Sequence, residues 1–339
     1  MALGGGTFIG RSKILPGAYV NFVSLTSAGA AMSERGVAAF PFELDWGREN
    51  EVFAVTASEF LKNSMALFGY EYADEKLKGL RDLFRNARMV YVYRLGKTGA
   101  EKASNAYGTA KYAGIRGNMM RVAVSKNADG VFTVRTIMGT NTLVDTQTVK
   151  KADELRDSDF VVWNKTAVLN ETGGTTFQGG KNPTVALSDY QAFLSQIENY
   201  PINAIGACVT DAATKDLFVA FIKNLRDNVG IKMQCVLFQC PADHEGIVNV
   251  YNPIRTDGPG VGGVSASLVY WVTGAIAGCA VNKSNLNKVY DGEFDVFADY
   301  PQALVFLFSA QPYEVGRRVL LIREQGGQAY YCIGCVGSV

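Results

Sequence analysis

At 339 residues, 48% of them hydrophobic and 19% charged, the chain has material for two or three domains on the usual scale of roughly 100–200 residues each. Its 33 Lys and Arg against 32 Asp and Glu leave a net charge of +1, which supplies no electrostatic footprint for nucleic acid or an anionic membrane. A balanced surface of this kind suits protein partners, and its weak self-repulsion favours association.

The first twelve residues are rich in glycine, without hydrophobic period, and contain no apolar run ending in a cleavage site of the secretory type. Leu15-Pro16-Gly17-Ala18-Tyr19-Val20-Asn21-Phe22 then alternates apolar Ala18, Val20 and Phe22, which predicts an extended arm over residues 1–24. From this pattern alone the arm serves equally as an edge strand of its own domain or as a strand donated elsewhere.

Residues 25–96 read as an α/β region. The run GVAAFPFEL is interrupted by Pro41, a pattern suited to an edge strand or bulge. Helices are predicted over 58–68 and 74–86, the second capped by Asp74, and RMVYVYRL at 88–95 predicts a strand.

From 97 to 184 the period shortens to two. Runs at 119–124, 131–137, 143–149 and 160–163, separated by turns such as Asn127-Ala128-Asp129-Gly130, predict an all-β insert, a sandwich or small barrel.

From 185 to 300 the alternation returns, with helices at 189–200 and 210–228 and strands at 204–209, 233–238 and 247–251. This order predicts a mainly parallel sheet covered on both faces. Between Gly258 and Asn282 lie 25 uncharged residues, but a spanning helix needs about 20 predominantly apolar ones and this stretch opens in glycine and serine. It predicts a buried Ala/Gly-rich helix over 265–281 and no stable membrane insertion. The fold class is therefore α/β with an all-β insert, followed by a tail over 301–339.

The chain carries few residues in patterns that chemistry needs. The single histidine, His244, has no G-x-S-x-G elbow to serve and no evident triad partner. The six cysteines, Cys208, Cys235, Cys240, Cys279, Cys332 and Cys335, form no loop-rich disulfide framework and read as reduced cytoplasmic usage. Only Cys332 and Cys335 have metal-ligand spacing, and no second pair joins them. Gly258-Pro259-Gly260-Val261-Gly262-Gly263 satisfies a dinucleotide-binding spacing without the strand before it or the acidic residue after it. Gly179-Gly180-Lys181-Asn182 is a near miss for a phosphate-binding loop, and KYAGIRGNMMR holds too few basic residues for nucleic acid. No catalytic, cofactor or metal residue is assigned, and an enzyme is not expected.

At LPGAYVNF, KYAGIRGN, DHEGIVNV and especially VNKSNLNKVYDGEFDV (281–296), the chain resembles the contractile tail sheath proteins of phages, prophages and phage-tail-like particles of Gram-positive bacteria. The resemblance runs from residue 1 to about residue 300. It implies a subunit made in the host cytoplasm that forms hexameric rings stacked around a tail tube and shortens when triggered, with tube, baseplate and tail-terminator proteins as partners and no cofactor. It further implies that Leu15 to Phe22 joins subunits by β-augmentation, that the 97–184 insert is β-sandwich-like and faces outward, and that the 185–300 region is subtilisin-like without protease activity. Residues 301–339 do not resemble the domain that usually follows, so the chain reads as shortened or altered there. Two alternatives stay open: a sheath homologue unable to assemble, and a hydrolase or nucleotide-binding enzyme built on the second α/β region.

Overall fold

The structure is a computed structural model that describes residues 35–254, 265–280, 282–285 and 288–295, and the backbone of 319–323 and 330–335. The expected arm, Leu15 to Phe22, and the glycine run Gly258 to Gly263 lie outside the described residues.

β1 (Val37–Phe42) leads to β2 (Val52–Thr56), helix α1 (Ala57–Phe68), helix α2 (Lys78–Phe84) and β3 (Met89–Arg94). Thr56 caps α1 in a capping box: its hydroxyl accepts from the Glu59 N–H, and the Glu59 carboxylate accepts from the Thr56 N–H. Asp74 caps the short 3₁₀ turn Glu75–Leu77 that opens into α2, where the sequence places a cap.

The insert contains β4 (Gly108–Ala110), β5 (Met120–Lys126), β6 (Phe132–Met138), β7 (Thr142–Val149), β8 (Val161–Trp163) and β9 (Thr172–Thr176). They form a four-stranded antiparallel sheet, β7-β6-β5-β9, and a β4-β8 pair. The Asn127–Gly130 turn closes β5 onto β6 because the Asn127 side chain accepts from the Asp129 and Val131 N–H groups while Gly130 takes a positive φ of 76°.

After the insert come α3 (Leu187–Ile197), β10 (Ala204–Ala207), α4 (Ala212–Lys223), β11 (Gln234–Phe238), β12 (Ile247–Val250) and α5 (Leu268–Gly278). Asp211 caps α4, and the one-turn π-helix that continues it ends at Gly230 with φ 85°. A hairpin of β13 (Val319–Arg323) and β14 (Tyr330–Cys335), carrying Cys332 and Cys335, lies in the tail.

The two α/β stretches, which the sequence sets apart, share one six-stranded sheet of order β12-β11-β10-β1-β3-β2, parallel except for β2. β1 is consequently interior, between β10 and β3, which corrects the edge expectation drawn from Pro41. In a parallel strand successive residues direct their backbone groups to opposite neighbours. Gly36 and Phe42 carbonyls accept from the β3 side and the Val37 carbonyl from the β10 side, so the Pro41 nitrogen faces β10. The β1–β10 ladder has already ended at Ala39↔Ile205, and the donor that proline lacks is not needed.

β1 is buried throughout and alternates its faces. Ala38, Phe40 and Phe42 enter a core with α1, α2 and α5, while Val37 and Ala39 enter a second core with α3 and α4. The insert has a third core, around Val122, Val134, Phe160 and Phe177, to which the loop after β1 contributes Trp46, fully buried. α5 is buried over nearly its whole length, as the sequence predicts, and no helix among the described residues is long and apolar enough to cross a membrane.

Candidate functional site

Three of the four segments that carry the resemblance are described, and each is a joint between elements. In the last, Tyr290 to Phe294 crosses α2 and α5. The Tyr290 hydroxyl donates to Asp82 Oδ2 at 2.6 Å and the Glu293 N–H to Asp82 Oδ1 at 2.8 Å. Arg81 binds both Glu293 oxygens and donates to the Tyr72 and Asp74 carbonyls, and Trp271 Nε1 donates to Asp291 at 2.7 Å. Burial pushes the Asp82 carboxyl above the ordinary carboxylate range, against the hydrogen bonds it accepts. A Cβ at Gly292 would lie 2.2 Å from the Tyr290 hydroxyl and 2.3 Å from Asp82 Oδ2, so a larger residue there would displace the side chains of this hydrogen-bonded pair.

KYAGIRGN forms the seam between sheet and insert. The Ala113 N–H donates to Glu49 at 2.7 Å, and the Arg116 guanidinium donates to the Gly69 carbonyl at 2.7 Å while lying 4.1 Å from the Tyr70 ring centre. Gly114 has φ 131° and would place a Cβ 2.1 Å from the Asp45 carbonyl oxygen. On the same seam, buried Arg94 donates to the Leu44 and Gly47 carbonyls and orders the loop that delivers Trp46.

DHEGIVNV forms β12 and its lead-in. His244 Nδ1 accepts from the Gly246 N–H at 3.1 Å, which leaves Nε2 to carry the proton toward Asp227 Oδ1 at 3.4 Å. Glu245 pairs with Arg226, whose hydrogen bond holds the carboxyl below its usual range, and Asn249 accepts from the Cys240 N–H. The ring nitrogens of His244 are thus engaged in fixing a turn, and among the described residues no serine or cysteine is bonded to them.

Cys208, Cys235, Cys240 and Cys279 are free thiols, and burial raises the first three above the usual thiol range, which disfavours the reactive thiolate. Among the described residues no group of three or more His, Cys, Asp or Glu is placed to hold a metal. Lys181 pairs with Glu101 in a small isolated bridge, so the Gly179–Asn182 turn is tied to the segment around Glu101 by its backbone and its lysine. Arg81, Asp82 and Trp46 belong to these joints and were not singled out by sequence reasoning, because each acquires its role from a partner distant in the chain.

The polar residues at these three joints thus hold the elements of an α/β molecule with an all-β insert together. Residues 35–95 match the family model for the tail sheath protein Gp18 domain III N-terminal region, 97–182 that for the phage tail sheath protein beta-sandwich domain, and 184–305 that for the phage tail sheath protein central domain. The phage-like element PBSX protein XkdK of Bacillus subtilis is 32% identical over 320 residues, spanning 87% of this chain and 67% of its own. YqbK of the same organism is 32% identical over 319 residues with the same coverage. A solved sheath tail protein from Desulfitobacterium hafniense superposes with a TM-score of 0.71 at 31% identity, over 84% of this chain and 68% of that one. Another from Listeria innocua gives 0.69 at 30% identity, over 91% and 71%. The chain belongs to the phage tail sheath protein family.

Proposed function

We propose that this chain is the structural subunit of a contractile tail sheath, polymerising as stacked hexameric rings around a tail tube and shortening to drive that tube through a target cell envelope. The observation that carries the reading is the unbroken order of three sheath segments over 35–305, on a fold that superposes with solved sheath proteins. The working partners are other copies of the chain, the tube protein, and the baseplate and tail-terminator proteins, in the virion tail. The α/β region after the insert is subtilisin-like in topology without proteolytic use, in keeping with a His244 whose ring nitrogens hold a turn. Residues Leu15, Pro16, Gly17, Ala18, Tyr19, Val20, Asn21 and Phe22 form the arm that augments a neighbour's sheet, contributing main-chain hydrogen bonds.

Sedimentation velocity of the purified chain, with negative-stain electron microscopy of the same sample, tests this. Rings, hexamers or tubes are expected. A monomer at every concentration would remove self-assembly from the function of this chain.

A further inference from the structure

In the six-stranded sheet the chain runs outward from β1 to β3 in one direction and from β10 to β12 in the other, so strand order reverses between β1 and β10. Crevices outside the carboxyl ends of strands at such a point are where open α/β sheets bind ligands. A cavity of about 270 Å³ lies there, reached by the ends of β1, β3 and β10 and walled by α2 and α5 on one side and α3 on the other. That volume is below the roughly 300–1,000 Å³ of sites for drug-sized ligands, and it suits a single side chain better than a nucleotide.

Phe42, Leu80, Tyr190, Tyr270 and Phe294 supply apolar and aromatic wall. Cys208 also lines the cavity, its thiol donating to the Ala266 carbonyl. Glu43 is exposed at the rim and, among the described residues, has neither a hydrogen bond nor an ion pair. Lys76, exposed on the turn before α2, also lines the cavity and forms no ion pair with Glu43. Burial keeps Tyr190, Cys208 and Tyr270 neutral, and the Glu43 charge reinforces this, so its negative field reaches the side of the cavity that these three residues line. The complement is a group with an apolar stem and a cationic head, stabilised over aromatic faces and paired at its tip.

We propose that this cavity is the acceptor for a lysine or arginine side chain of a second copy of the chain, a heterologous contact of the kind that propagates through rings and helices. The inference rests on the self-assembly proposed above and commits to the charge complementarity of Glu43.

The test uses the full chain and its Glu43→Gln variant, with thermal melts to show that this rim substitution leaves the fold intact. Arginine methyl ester, titrated into each protein and followed by NMR of the tyrosine rings, is expected to saturate on the unsubstituted chain and to bind about tenfold more weakly to the variant, the scale of one lost charge-assisted contact. In sedimentation velocity the variant is expected to need about tenfold more protein to assemble. Absence of saturable binding, or equal binding by both proteins, overturns the site. If both proteins assemble equally well, docking of a second copy is overturned while the sheath reading stands. If the unsubstituted chain never assembles, the sheath reading fails for this chain and docking of a second copy fails with it.

Discussion

The Arg81 guanidinium grips the Glu293 carboxylate through Nε at 2.9 Å to each oxygen and through Nη2 at 2.7 Å, joining positions 212 residues apart. The pair is mostly shielded, with the arginine side chain 9% and the glutamate side chain 29% exposed. Its bidentate form is the strong geometry for this pair of groups. It secures the segment before residue 296 to the first half of the molecule.

An acid dependence follows from this pair. The Arg81 hydrogen bonds lower the Glu293 pKa below its ordinary 4.5, with burial opposing. A depressed carboxylate contributes stability that is present above its unfolded pKa and lost as pH falls through its folded one. Asp82 has the opposite shift: its folded pKa is raised by burial, so its protonation relieves a cost and flattens the slope. Urea midpoints are expected to fall between pH 7 and pH 3 in the unsubstituted chain and to fall less in Glu293→Gln; equal slopes would contradict the assignment.

Close packing of α5 on α2 depends on two glycines. A Cβ at Gly274 would sit 2.3 Å from the Leu83 carbonyl oxygen, and one at Gly278 would sit 2.1 Å from that of Asn86. Backbone cannot give way as a flexible side chain can, so Gly274→Val is expected to lose about 1–3 kcal/mol or more. Chemical denaturation measures it, and a loss under 0.5 kcal/mol, the scale of an unremarkable surface change, would show that the helices part at little cost.

Trp46 is fully buried in the insert core, edge-on to Tyr112 and stacked against Phe160, though it stands on the loop after β1. Trp46→Ala is expected to cost about 3–5 kcal/mol and to loosen the insert from the sheet. Hydrogen exchange should show faster amide exchange in β5 and β6 than in β10 and β11. A uniform change across both regions would indicate that the seam does not act locally.

For the proposed arm, Val20→Pro removes one backbone donor from any strand it forms. Polymer yield by sedimentation is expected to fall while the thermal midpoint of the monomer is unchanged. An unaltered yield would take Leu15 to Phe22 out of the assembly contact.

Much of the local architecture was determined by the sequence itself. Asp74 capping the lead-in to α2, Gly230 ending the helix after Asp211, and the Asn127–Gly130 turn are recognisable because the bonds they make span a few residues. The burial of α5 was legible in its lack of charge. Only the tertiary structure decided that both α/β stretches build one sheet, which turned Pro41 from an edge marker into an interior residue at the end of a ladder. Only it decided that Trp46 completes the core of the insert, that Arg81 and Asp82 serve a segment more than 200 positions away, and that Glu43 and Cys208 line one cavity at the reversal of strand order. Local signals arise from backbone groups that must be satisfied within a turn or two, whereas parallel strand order and side-chain partnership depend on crossovers whose destinations leave no period in the chain.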